Sequence, residues 1–142
     1  MKKHRFVSYA VAFAFAFLIL SSATASASTL RSSPTLSSYG VVLTKGSDTG
    51  KVVITYDVLA NSLAESLGVS KIKIYKSNEE YVTTIYPTSL NGLKTTNAMW
   101  HRSSYTYTGT SGTSYYAEVT VFATIDGVTD SRTVTTNTVK AP

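Results

Sequence analysis

Apolar and polar residues alternate with a period of two along much of this chain, most clearly from Ser103 to Thr138. Tyr115, Ala117, Val119, Val121 and Ala123 fall on one face of an extended segment. Tyr116, Glu118, Thr120, Phe122 and Thr124 fall on the other. A helix would repeat its apolar positions every three to four residues, so this spacing predicts a β-strand. One face is small and apolar, as a buried core requires; the other is mixed, as a partly wet surface requires. Around this strand the pattern predicts a strand over 103–108, a link over 109–114, a turn at Asp126-Gly127 and a closing strand to Thr138.

The earlier chain reads in the same way. Ser37–Thr44 alternates, and Lys45–Gly50 has the glycines and aspartate of a turn. Lys51–Val58 is a strand with Val52, Ile54, Tyr56 and Val58 on one face. Leu59–Ser70 breaks the alternation. Ser62 and Glu65 have capping-box spacing, so one helical turn stopped by Gly68 is expected there, with Leu63 and Leu67 plugging one end of the core. Strands follow over Val69–Lys76 and Tyr81–Tyr86, and Pro87 ends the second because it has no N–H to donate. Thr88–Arg102 has no clear period and is expected to be irregular. Seven short strands and no strand–helix–strand alternation predict an all-β domain, a seven-stranded antiparallel Greek-key sandwich, with a barrel as the alternative closure.

The first residues stand apart. Lys2, Lys3 and Arg5 precede an uncharged apolar run, and small residues at Ala23, Ala25 and Ala27 offer cleavage sites. That is the layout of a secretory signal peptide over 1–27. Its removal takes the formal charge from +5 to +2 and leaves about 115 residues. The expected organisation is then a flexible leader over 28–36, a single β domain over 37–139 and a tail over 140–142. The predicted location is extracellular, with no transmembrane anchor in the mature chain. With the basic head gone, no cluster is left to follow a phosphate backbone, and nucleic acid is not expected as a partner. There is no cysteine, so the core must stand without disulfides.

The last 35 or so residues carry a resemblance. A glycine-containing link, Gly109–Ser114, leads into Tyr115 and the alternating Ala117, Val119, Val121 and Ala123; a Ser/Thr-rich strand follows. This resembles the closing strands of a fibronectin type III domain, or more broadly of an immunoglobulin-like sandwich. The resemblance implies that Tyr115 is a corner tyrosine whose hydroxyl bonds nearby backbone, and that Val119 and Val121 are structural. The link lacks the family's usual leucine and proline, and the sole tryptophan, Trp100, is not in the second strand. The whole chain also resembles small secreted proteins of Gram-positive bacteria that have no assigned activity.

Catalytic chemistry finds little material. After residue 27 there is one histidine, His101, no cysteine and no Gly-x-Ser-x-Gly elbow. Glu118 stands in mid-strand and is expected to pair with a neighbouring cation such as Arg132. Zinc ligands are lacking, and Asp126 with Asp130 is the one arrangement that calcium would use. No cofactor fingerprint is present. The chain is therefore expected to be non-enzymatic, without cofactor or metal.

Aromatic residues are the remaining signal. Nine tyrosines and one tryptophan follow residue 27. Tyr75, Tyr81, Tyr105, Tyr107 and Tyr116 are candidates for an exposed face, and Trp100 for a loop anchor; Trp100, Tyr105, Tyr107 and Tyr116 are the leading contact residues. The expected function is extracellular protein recognition, cell-envelope association or structural contact. The alternative is a carbohydrate-binding accessory module that uses exposed Trp and Tyr. An extracellular protein or a glycan is the expected partner, and an exposed edge strand would also allow self-association.

Overall fold

The computed structural model describes residues 33–142, and the expected signal segment lies outside them. Seven antiparallel strands form one sheet that curls into a half-barrel: β1 (Leu36–Lys45), β2 (Lys51–Lys76), β3 (Tyr81–Ile85), β4 (Lys94–Thr108), β5 (Ser114–Ile125), β6 (Val128–Thr135) and β7 (Val139–Lys140). The all-β reading therefore holds, although the seven strands are divided differently.

The main correction concerns Leu59–Ser70. No helical turn forms there, because β2 continues through it for 26 residues and is the axis of the fold. Its first half pairs with β1 on one side and with β4 on the other. Its second half pairs with β5 on the first side, and with β3 and the start of β4 on the second. The polar residues of this stretch have other partners: the expected capping residue Glu65 accepts the Gly127 N–H at 3.2 Å. Asn61 N–H donates to Thr35 C=O at 2.9 Å, and its side chain donates to the carbonyls of Ser33 and Pro34, both at 3.0 Å. With the backbone bonded to neighbouring strands, a helix has nothing to gain here. The pairing with β4 slips between Leu59 and Ala64, and this irregularity carries β2 from one half of the curl into the other. Leu63, expected to plug the core, is 63% exposed at the slip, whereas Leu67 is buried. Gly68 is needed not as a helix stop but for close approach: a Cβ there would sit 2.3 Å from the Leu93 carbonyl.

The second correction concerns Thr88–Arg102. Its latter part belongs to β4, which starts at Lys94 and pairs along β2. Alternation is weak there because β4 lies at the rim, with one face only half-buried and Thr, Asn and Met facing solvent.

The core is the concave side of the curl. Val52, Ile54, Tyr56 and Val58 from early β2 meet Ile72 and Ile74 from late β2 and Ala117, Val119, Val121 and Ala123 from β5. Full burial of a side chain of valine or isoleucine size contributes about 1.5–3 kcal/mol. Val119 and Val121 are wholly buried. β1 closes over this core against β5, β6 and β7. At one end, Tyr115 is buried and its hydroxyl accepts the Thr110 N–H at 2.8 Å.

The ends of the expected domain are also bound in. Thr35, expected in a flexible leader, is buried and donates its hydroxyl to Ala123 C=O at 2.9 Å. Of the expected tail, Lys140 lies in β7 and Ala141 is 2% exposed. Ala141 N–H bonds Thr113 C=O at 2.9 Å, and Pro142 C=O accepts from Gly50 N–H at 2.7 Å.

Candidate functional site

The convex face of late β2 and its neighbours gathers three tyrosines. Antiparallel register sets Tyr75 opposite Tyr81 of β3 on one side and Tyr116 of β5 on the other. Residues directly opposite share a face of the sheet. Ile74 and Ala117 are buried, so their neighbours Tyr75 and Tyr116 point outward. The result is a row Tyr81–Tyr75–Tyr116 across three strands.

The rings touch one another. Tyr75 and Tyr116 stack with centroids 5.2 Å apart and planes 11° apart. Tyr81 meets Tyr75 edge-on at 5.9 Å and 70°. Tyr81 is 55% exposed, and the other two are half-buried. The row is contiguous but not flat; it offers ring edges and hydroxyls beside one more open ring.

Polar groups flank it. Tyr75 hydroxyl donates to Glu118 Oε2 at 3.2 Å, and Tyr81 hydroxyl shares a hydrogen bond with Thr84 at 2.9 Å. Lys73 stands between Thr84 and Glu118 in the ladder. Desolvation pushes the Tyr75 phenol upward from its ordinary range, and the Glu118 hydrogen bond and charge push it the same way. The neutral phenol serves as a donor toward Glu118. The expected Glu118–Arg132 pairing does not form. Arg132 pairs instead with Asp130, two residues along the same face of β6.

Trp100 is elsewhere. It pairs with Leu59 on the first half of β2, apart from the tyrosines, and is 55% exposed. It stands in a strand and not in a loop. Its indole N–H donates to Asp57 Oδ1 at 2.7 Å, and Arg102 Nε reaches Asp57 Oδ2 at 3.2 Å. Tyr105 and Tyr107, expected to be exposed, are half-buried and pack on the core. Their cross-strand partners are Ile54 and Val52, whose face is the interior. Tyr107 also meets Tyr115 edge-on at 5.5 Å. Of the four leading contact candidates, then, only Tyr116 joins the row. Tyr75 and Tyr81 complete it, and both were visible as tyrosines either side of a four-residue turn.

His101 has a structural partner. Its Nε2 donates to the Gly92 carbonyl at 2.8 Å, and the same carbonyl accepts the Tyr56 hydroxyl at 2.7 Å. This anchors the 86–93 loop. An open groove of ≈ 490 Å³ beside that loop is lined by Pro87, Thr88, Gly92, Lys94 and Thr95, which supply hydroxyls and one cation but no acid–base pair.

Among the described residues, no three His, Asp or Glu side chains gather as metal ligands. Asp126 sits on the exposed β5–β6 turn, and Asp130 Oδ1 already holds the Arg132 guanidinium at 2.5 Å and the Ser131 N–H at 2.8 Å. No helix among the described residues is long and apolar enough to cross a membrane.

Comparison with known proteins adds little. No family model matches the chain, and no curated protein matches it. A solved structure of a family 76 glycoside hydrolase from a bovine Bacteroides thetaiotaomicron strain aligns with 73% of this chain at 13% identity and a TM-score of 0.41. The chain spans 20% of that structure's length. A likeness of this size carries no argument about fold or activity.

Proposed function

We propose that the protein is a secreted, non-catalytic β-sandwich module of the immunoglobulin-like or fibronectin type III-like kind that binds carbohydrate on its convex tyrosine face. One observation carries the reading: the register brings Tyr81, Tyr75 and Tyr116 from three strands into one contiguous row beside Glu118 and Lys73. Sugars offer C–H faces to aromatic rings and hydroxyls to carboxylates, amines and phenols. This face supplies each of those groups within two rows of the sheet. The buried Tyr115 hydroxyl on the Thr110 N–H supports the immunoglobulin-like assignment.

The test is affinity electrophoresis of the purified protein through gels containing cell-wall polysaccharides, backed by a glycan array. Retardation that Tyr75→Ala and Tyr81→Ala each weaken, and Trp100→Ala leaves intact, is the expected result. Migration unaffected by every polysaccharide would remove this reading.

A second reading, extracellular protein recognition, draws on Trp100. Its indole is fixed by Asp57 and more than half exposed, as a pre-positioned aromatic anchor for a protein partner would be. Loss of partner capture on Trp100→Ala with the tyrosine variants unaffected would favour it.

A further inference from the structure

We propose that the free edge of β4 pairs with the same edge of a second copy, joining two molecules through a continuous antiparallel sheet centred on Ser104.

The direction of the backbone groups follows from one hydrogen bond. Gly109 N–H donates to Gly50 C=O at 2.8 Å, in the register that also pairs Lys51 with Thr108. Bonded and non-bonded pairs alternate along an antiparallel ladder. The odd-numbered residues from His101 to Tyr107 therefore bond β2. Trp100, Arg102, Ser104, Thr106 and Thr108 aim their N–H and C=O away from it. Among the described residues, β4 pairs with no strand other than β2.

The other edges are guarded. β1 is bonded to the Asn137 side chain at Leu43. β3 is five residues long and is followed closely by Pro87. β6 carries Asp130 and Arg132 as a half-buried charged pair, a device that disfavours edge pairing. From Trp100 to Thr108, β4 has no lysine, proline, glycine or register slip. Its one charge, Arg102, is held by Asp57 of the same molecule.

A second copy suits this edge better than a charged foreign segment, because the edge is self-complementary. Two-fold pairing about Ser104 sets Arg102 opposite Thr106 and Trp100 opposite Thr108, so no like charges meet. Every outward N–H in the stretch then finds a carbonyl. Two tyrosine faces would be carried by one particle, which raises avidity for a repeating polymer.

Sedimentation equilibrium of the purified protein tests the proposal. The expected mass is that of a dimer, falling to a monomer in Ser104→Pro. Proline at an outward-facing edge N–H leaves the intramolecular ladder intact. Ser104→Cys gives an independent reading that does not need the proline variant to fold. The chain has no other cysteine. Opposed residues in a bonded pair lie ~5.5 Å apart, within disulfide reach. Mild oxidation should then link Ser104→Cys into covalent dimers while leaving Thr106→Cys unlinked. A monomer at every concentration up to ~1 mM overturns the proposal, as does an extended foreign peptide taking the edge. Equal cross-linking of the two cysteine variants overturns it as well.

Discussion

The Asn137 carboxamide makes both backbone hydrogen bonds of Leu43. Its Oδ1 accepts the Leu43 N–H at 3.2 Å, and its Nδ2 donates to the Leu43 C=O at 3.0 Å. A single side chain thus imitates a paired strand and fastens β1 to the segment after β6. Asn137→Ala leaves both groups of the buried Leu43 to find water at a partly closed seam. The expected loss is about 1–2 kcal/mol, since an unmade buried hydrogen bond costs ~1–3 kcal/mol. Thermal unfolding should show it as a fall of several degrees. Asn137→Asp should do no better, because a carboxylate cannot donate to the Leu43 carbonyl. An unchanged midpoint in both variants would mean that the curl is held shut elsewhere.

Tyr115 and Gly109 form the corner between β4 and β5. The hydroxyl that accepts the Thr110 N–H lies 2.5 Å from where a Cβ on Gly109 would stand. Tyr115 is buried and has nowhere to retreat. Gly109→Ala should therefore cost more than Tyr115→Phe. The former overpacks, at ~1–3 kcal/mol; the latter leaves one N–H at the rim, at ~1 kcal/mol. Urea midpoints of the two variants would check the order, and the reverse order would show that the link moves freely.

Much of this corner is legible in the sequence. Alternation from Tyr115 to Ala123 identified the inward face residue by residue, because that strand is dry on one side only. Leu59–Ser70 was not legible. Local propensity there favours a helical turn, and extension wins through the bonds from Asn61 to Thr35, Ser33 and Pro34 and the pairing of Ala64–Gly68 with β4. Those partners lie nearly 30 residues away, beyond any local pattern. The tyrosine row was half legible. Tyr75, Tyr81 and Tyr116 were visible as outward candidates, but their adjacency depends on two registers that the chain does not spell out. Tyr105 and Tyr107 pack on the core because β4 pairs them with Ile54 and Val52, a register that alternation alone does not give.

Alkaline pH should weaken the fold through Tyr56. Burial raises this phenol above its ordinary range, and the nearby Ser103 hydroxyl opposes the rise. A raised folded-state value means that the neutral phenol's contribution is complete below pH ~10 and is lost as pH climbs through the folded-state value. Tyr56→Phe should lower stability near neutrality by ~1 kcal/mol, since the bond to Gly92 C=O is lost. It should also flatten the decline above pH ~10. Denaturation midpoints from pH 8 to 11 would show this as converging curves; parallel curves would place the alkaline sensitivity in other tyrosines.

Trp100 is the only tryptophan, so its emission reports on one place. Asp57→Ala removes the acceptor of its indole N–H and the partner of Arg102. The ring should gain motion, seen as lower fluorescence anisotropy, while stability changes by under ~1 kcal/mol because the ion pair is exposed. Glycan bound on the tyrosine row, on the other half of β2, should leave the Trp100 emission unchanged. Tyr75→Ala should lower the same affinity about tenfold, the equivalent of ~1.4 kcal/mol. A glycan-dependent shift of Trp100 emission, with Tyr75→Ala binding normally, would move the contact surface from the tyrosine row to the Asp57–Trp100–Arg102 patch.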